Sequence, residues 1–190
     1  MKTSRLEAFS DGVIAVIITI MVLELKVPHA GTPGALLADT PSLLVYCLSF
    51  AVVAIMWVNH HHLVEKARRA DAALLWSNNN LLFWMSLIPF VTAYLGENCH
   101  APLAVSVYGG VLTFACAAFL LLQIVLAKQD RDDAARQIEF RRLNRKGIVS
   151  IGCYATSVGL AWVSVYFSFA IFVIIPLIYF WPERRATATE

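Results

Sequence analysis

The chain has 190 residues, of which 59% are hydrophobic and 15% charged, and its formal net charge is +2. Soluble globular domains are about 45–50% apolar, so the composition excludes a soluble domain and predicts an all-α integral membrane protein surrounded by the lipid bilayer. The sequence contains no glycine-rich phosphate loop and no metal-ligand spacing. We therefore expect no cofactor, no bound metal, no nucleic-acid partner and no enzyme activity.

Six apolar stretches within one domain, residues 1–190, are long enough to be considered as membrane-crossing helices. Their approximate limits are 6–26, 42–63, 73–95, 103–127, 145–164 and 166–181. The fifth and sixth stretches are nearly continuous, so a tight turn near Ser164–Ser168 is predicted between them. Residues 127–146 form the only long polar segment, and their mixed charges favour a short cytoplasmic helix before the fifth stretch.

The distribution of lysine and arginine predicts the orientation of the chain. In a six-span arrangement, fourteen of the fifteen lysines and arginines fall on one side, and only Lys26 falls on the other. Positive charge collects on the cytoplasmic side of membrane proteins. We therefore expect a multi-pass protein of the plasma membrane with both termini in the cytoplasm. A five-span arrangement would place Arg184 and Arg185 outside.

The first stretch carries an apolar stripe and a separate polar patch. Four of its residues lie three or four positions apart and therefore share one helix face. They are Val16, Thr19, Ile20 and Leu23. At 100° per residue, Asp11 lies about 140° away from Val16. The stripe either packs against lipid and other helices or lines a pore assembled from several subunits, and periodicity alone favours neither.

Asp11 is a carboxylate inside an apolar stretch, where it needs a partner. The second stretch ends in WVNHHH, and this segment lies at a similar depth. The indole of Trp57 or the ring of His60 or His61 is a suitable donor, unless the histidines simply face lipid head groups. Three successive histidines on a helix spread over about 200° and do not converge on one metal ion.

The third stretch contains three successive asparagines, Asn78–Asn80, which are unusual beside hydrocarbon. Polar side chains in membrane helix bundles hydrogen-bond across helices, so we expect at least one of the three to do so. Pro89 is expected to kink the outer half of the same stretch, because proline lacks a backbone N–H.

Three segments in the first half of the chain resemble the transmembrane protein 175 family in its prokaryotic single-repeat form. The first is Arg5 with the Phe9-Ser10-Asp11 triplet, followed by GVIAVIITIMVLELKVP. The second is Trp57 with the histidines after it, and the third is residues 78–92, which include Ile88-Pro89-Phe90. The second half matches the family only in the number and length of its apolar stretches.

The resemblance implies a potassium-permeable, leak-type cation channel. In this family single-repeat chains assemble as homotetramers, and their first helices surround the pore axis without a re-entrant selectivity-filter loop. We therefore expect modest selectivity for potassium over sodium and a hydrophobic gate formed by the first helix. Animal members of the family also conduct protons, so proton permeation is a further expectation.

The resemblance also assigns roles to residues of the first helix. Val16 takes the position of the inner constriction, and Thr19 that of a hydroxyl layer. Ile20 and Leu23 take the positions of further apolar rings. A structural network would hold this pore helix in place: Arg5, Phe9, Ser10, Asp11, Trp57, His60, His61 and Asn78. Asp11 is therefore expected to anchor the helix within its own subunit rather than to touch the ion.

A secondary transporter of a small cation or solute is the main alternative function. Transporters place polar or ionisable groups near the membrane midplane, often on broken helices. Here the charged groups lie near the ends of the stretches, which favours passive flow. A membrane enzyme would need a nucleophile beside Asp11 and the histidines, and none is nearby. A purely structural protein would show no conductance.

Overall fold

The computed structural model describes residues 3–28, 30–130 and 133–180. Within these ranges every regular element is helical, which confirms the predicted all-α class. The helices are α1 Thr3–Leu23, α2 Pro33–Ala38, α3 Thr40–Glu65, α4 Ala72–Ser86, α5 Ile88–Glu97, α6 Pro102–Ala127, α7 Ala134–Leu160 and α8 Val165–Phe180. A short 3₁₀ turn, Lys128–Asp130, follows α6.

Helices lie over all six predicted stretches. By length and composition, α1, α3 and α6 are able to span a membrane, and α8 is a shorter apolar helix. The third stretch is divided at Leu87 into α4 and α5, and Pro89 is the second residue of α5. The first turn of a helix has no intrahelical partner for its N–H groups, so proline is tolerated there. The predicted kink is therefore a boundary between two helices.

Two predicted boundaries differ from the structure. α7 runs unbroken for 27 residues from the polar segment into the fifth stretch, instead of following a separate cytoplasmic helix. Gly147, near the change from polar to apolar sequence, costs a helix only about 1 kcal/mol and does not end it. The last turn falls at residues 161–164, slightly before Ser164–Ser168. Ser168 lies inside α8 and donates a hydrogen bond of 2.7 Å to the carbonyl of Ser157.

The core forms where α6 packs against α7 and α4. Tyr108 of α6 and Phe172 of α8 are fully buried, and their rings meet edge to face with centroids 4.9 Å apart. Gly109 lets α6 and α7 approach closely, because a Cβ there would lie 2.6 Å from Ser157 Oγ. Small residues commonly permit such contacts between membrane helices.

α1 packs against this core by one face only. Its buried residues recur at helical spacing: Leu6, Ser10, Ile14, Ile17 and Met21. This face contacts α3, α4 and α5. The opposite face is exposed along the helix. A single subunit therefore presents a long apolar surface on α1 that the rest of its described chain does not cover.

Candidate functional site

The exposed face of α1 contains the four residues that the sequence suggested as pore-lining. Val16 is 55% exposed, Ile20 41% and Leu23 79%, and Thr19 is exposed beside them. Because α1 is held by its opposite face, these side chains project away from the helix bundle. The surface that these four side chains form is apolar apart from one hydroxyl.

The hydroxyl of Thr19 is oriented by the helix itself. Its Oγ1 donates a hydrogen bond of 2.8 Å to the carbonyl of Val16. The hydroxyl hydrogen is therefore directed to the backbone, and the oxygen keeps lone pairs available on the exposed side. An oxygen in this position is able to coordinate a cation that has lost part of its hydration shell.

Arg5 and Phe9 lie on the same exposed face as Val16. Residues seven or eleven positions apart on a helix differ by only about 20° in direction, which aligns both residues with Val16. Phe9 is 55% exposed, and Arg5 is exposed with no hydrogen-bond partner among the described residues. The structure thus places both on the exposed face, away from the buried contacts of α1.

The buried face of α1 is joined to α3 and α4 by three polar side chains. Asn78 Nδ2 donates to Ser10 Oγ at 3.0 Å, and Asn78 Oδ1 lies 2.7 Å from His60 Nε2. Ser10, Asn78 and His60 are all fully buried. The prediction that one of the three asparagines hydrogen-bonds across helices is confirmed at Asn78.

Two further polar pairs connect α1 to the end of α3. The indole Nε1 of Trp57 donates to Asp11 Oδ1 at 2.9 Å, so the indole rather than a histidine is the partner of this carboxylate. His61 Nδ1 lies 2.9 Å from Glu7 Oε1. Glu7 and Asp11 are four residues apart on α1, as are Trp57 and His61 on α3. Each helix therefore presents two side chains on one face, and the two faces meet through these two pairs. Glu7 is missing from the predicted network, although this matching spacing was visible in the sequence.

The three successive histidines have three different surroundings. His60 faces Asn78, His61 faces Glu7, and His62 is exposed. Over the described ranges, no group of three or more histidine, cysteine, aspartate or glutamate side chains is placed to hold a metal ion. The polar contacts of His60 and His61 are with side chains of other helices.

A second buried polar cluster, between α3, α5 and α6, was not predicted. Ser49 Oγ lies 2.9 Å from the hydroxyl of Tyr108, and Thr92 Oγ1 donates to Ser49 Oγ at 2.8 Å. All three residues are buried. Each is one of several neutral hydroxyls in its own apolar stretch, so no local pattern in the sequence marks the three as partners.

Several known proteins are similar to this chain in sequence. A protein-family model described as endosomal/lysosomal potassium channel TMEM175 matches residues 5–89. A protein from Chryseobacterium sp. (strain P1-3), named a potassium channel, is 36% identical over 185 residues, covering 97% of this chain and 96% of that protein. The Homo sapiens protein named endosomal/lysosomal proton channel TMEM175 is 32% identical over 101 residues, covering 47% of this chain and 20% of that protein.

The fold is similar to that of a solved channel. The crystal structure of a lysosomal potassium-selective channel TMEM175 homolog from Chamaesiphon minutus matches with a TM-score of 0.82 and 33% sequence identity, covering 93% of this chain and 95% of that chain. The helical fold and its relatives define a multi-pass membrane protein of an ion-channel class. The chain belongs to the TMEM175 family, because a relative more than 30% identical spans nearly all of it.

Proposed function

We propose that this chain is the subunit of a potassium-permeable, leak-type cation channel, a homotetramer in which four copies of α1 surround a central pore. The observation that carries the proposal is the exposed face of α1 from Phe9 to Leu23. It is apolar apart from the Thr19 hydroxyl and lies on a helix anchored by its other side. The similarity to a protein named a potassium channel supports potassium as the permeating ion.

In the proposed topology, the single domain of residues 1–190 crosses the plasma membrane six times with both termini in the cytoplasm. α4 and α5 together form the third crossing, and α7 and α8 form the last two. Three helices, α1, α3 and α6, are long and apolar enough to cross a membrane, which supports this arrangement. It also collects fourteen of the fifteen lysines and arginines on the cytoplasmic side. The α1 face lines the pore, so no re-entrant selectivity-filter loop is needed.

The pore face explains how ions would pass. Val16 and Leu23 lie about 10 Å apart along the axis of α1, so four copies form a short, narrow tube. A cation in this tube loses part of its hydration shell, and potassium loses water at lower cost than sodium. Thr19 oxygens replace some of that water, and the apolar rings gate by wetting and dewetting. Coordination by one hydroxyl layer, unlike a stacked cage of carbonyls, gives modest selectivity.

A polar network between α1, α3 and α4 fixes the rotation of α1 in this proposal. Its members are Ser10, Asp11, Trp57, His60, His61 and Asn78, with Glu7 added by the structure. A rotation of α1 by one residue, about 100°, would turn the pore face away from the axis. Arg5 and Phe9 lie in line with Val16, and in this proposal they hold the helix from its exposed side, where four copies of α1 meet around the axis.

Bilayer recording of the purified protein under a potassium/sodium gradient tests the proposal. We expect the reversal potential to lie toward potassium and to shift in Thr19→Ala, because the hydroxyl layer is lost. Thr156→Ala is the matched control, since Thr156 is also exposed and donates to a carbonyl of its own helix at 2.8 Å. Saturable flux without single-channel steps would indicate a transporter. Silence from well-folded protein would contradict conduction.

We extend the proposal to protons, because the human relative is named a proton channel. Liposomes that contain the protein and an enclosed pH-sensitive dye are expected to acidify after an external acid step faster than empty liposomes do. Equal rates in the two preparations would restrict the channel to metal cations.

A further inference from the structure

We propose a binding site for an anionic phospholipid between α7 and α8, near the cytoplasmic end of both helices. A groove of about 350 Å³ separates the two helices there. One part of its wall is basic and contains Arg142, Arg145 and Lys146. Another part is apolar and contains Val149 and Ile178. A negatively charged phosphate joined to an acyl chain matches both parts.

Helix spacing places the basic and apolar walls in line. Arg142, Arg145 and Lys146 are three and four residues apart and share one face of α7. Val149 continues this face by one more turn, where the charged segment gives way to an uncharged apolar stretch. Within the described chain, neither arginine pairs with an acidic side chain. Basic side chains at such a boundary bind anionic lipid head groups.

A few polar side chains lie at the inner end of the groove. Ser150 Oγ lies 3.1 Å from the hydroxyl of Tyr179 and joins α7 to α8. A cavity of about 70 Å³ shares Lys146, Ser150 and Tyr179 with the groove and reaches Gln123 of α6. Gln123 is 6% exposed, and its Oε1 has no hydrogen-bond partner in the described part of the molecule. A buried amide oxygen needs a donor, and the hydroxyl groups of a phosphatidylglycerol head group are suitable donors.

The site rests on the proposed membrane crossing by α7 and α8, but it does not depend on ion conduction. Its test is native mass spectrometry of the full-length protein in detergent, titrated with phosphatidylglycerol, phosphatidylcholine or inorganic phosphate. We expect phosphatidylglycerol to bind preferentially. Arg142→Gln and Arg145→Gln should each weaken its binding about fivefold, the effect of one basic residue near an anionic lipid. Arg141→Gln is the matched control, because Arg141 does not line the groove.

A second variant tests the apolar half of the groove. Val149 is 56% exposed, so Val149→Trp should fill the groove and abolish phosphatidylglycerol binding without lowering the unfolding temperature of the lipid-free protein. Unchanged binding in this variant would overturn the site.

Three other outcomes would also overturn it. They are equal binding of phosphatidylcholine, equal weakening by Arg141→Gln, and displacement of the lipid by inorganic phosphate at the same concentration, which would indicate a site for free anions. Potassium currents of the same variants separate this site from the channel proposal. Lost lipid binding with intact current leaves the channel standing, and lipid binding by a silent protein contradicts the channel alone.

Discussion

The side-chain amide of Asn78 contacts two other helices at once. Its nitrogen donates to Ser10 on α1, and its oxygen lies beside His60 on α3. Because all three residues are fully buried, no solvent is available to replace a lost partner. Buried polar groups left without partners are costly. The three side chains therefore restrict α1 to one rotation and one depth relative to the bundle.

Asn78→Ala is expected to lower the free energy of unfolding by about 2 kcal/mol, because Ser10 and His60 lose their partner in a buried site. The measurement is the denaturation midpoint of the detergent-solubilised protein, followed by tryptophan fluorescence. Asn79→Ala is the matched control, since Asn79 is the next residue and is exposed. Equal destabilisation by the two substitutions would remove the basis for the role assigned to Asn78.

Asp11→Ala is expected to close or misassemble the channel, because α1 loses its hydrogen bond from Trp57. Trp57→Phe keeps a ring and removes the donor, so it should have the same effect. The double variant should be little worse than either single variant, since both remove one interaction. Potassium flux into liposomes measures the result. Normal current with altered ion selectivity in Asp11→Ala would show that this carboxylate faces the ion path instead.

At the scale of helices, the positions of the helices along the chain were easier to predict than the contacts between them. A membrane-crossing helix needs about twenty apolar residues, and such runs are visible in the sequence. The sequence changes from polar to apolar near Gly147, but this change does not show whether the helix ends there. Backbone hydrogen bonds of a helix form equally well on both sides of it, and α7 is continuous. The hydroxyls of Ser49, Thr92 and Tyr108 come from distant parts of the chain, and only tertiary packing brings them together.

Gly109→Ala is expected to destabilise the protein by about 1–3 kcal/mol through overpacking between α6 and α7. The added Cβ would lie 2.6 Å from Ser157 Oγ, whereas a Cβ at Gly110 has no atom within 4 Å. Gly110→Ala is therefore the control and should be neutral or slightly stabilising. Adding Ser157→Gly to Gly109→Ala should restore part of the loss. Equal denaturation midpoints for the two alanine variants would argue against the close contact.

At the scale of the whole molecule, one subunit leaves the apolar face of α1 uncovered, and the proposed tetramer turns this face into the wall of a pore. The separation of the apolar stripe from the Asp11 carboxylate was predictable from the sequence, because helical spacing alone places them on different sides of α1. The family motif assigns Arg5 and Phe9 to the network that holds the helix, but a motif alone does not give the direction of their side chains. Their helical phase places them with Val16 instead.

The assembled particle is expected to contain four chains of 21.1 kDa. The exposed face of α1 closes around an axis only when several copies meet, and closed symmetric rings are the usual form of such assemblies. Native mass spectrometry in a mild detergent measures the number of chains. A particle that contains one or two chains under conditions that preserve potassium current would refute the proposed tetramer.

Cysteine accessibility during recording tests most directly whether the exposed face of α1 contacts the permeating ions. Val16→Cys is introduced into a variant whose four native cysteines, all free in the structure, are replaced by alanine. Val22→Cys is the matched control, because Val22 is 47% exposed on the same helix but lies about 120° away from Val16. A thiol-reactive cation is expected to block the current of Val16→Cys and to leave that of Val22→Cys unchanged. If the reagent blocked the current of Val22→Cys and left that of Val16→Cys unchanged, the result would contradict a pore lined by this face.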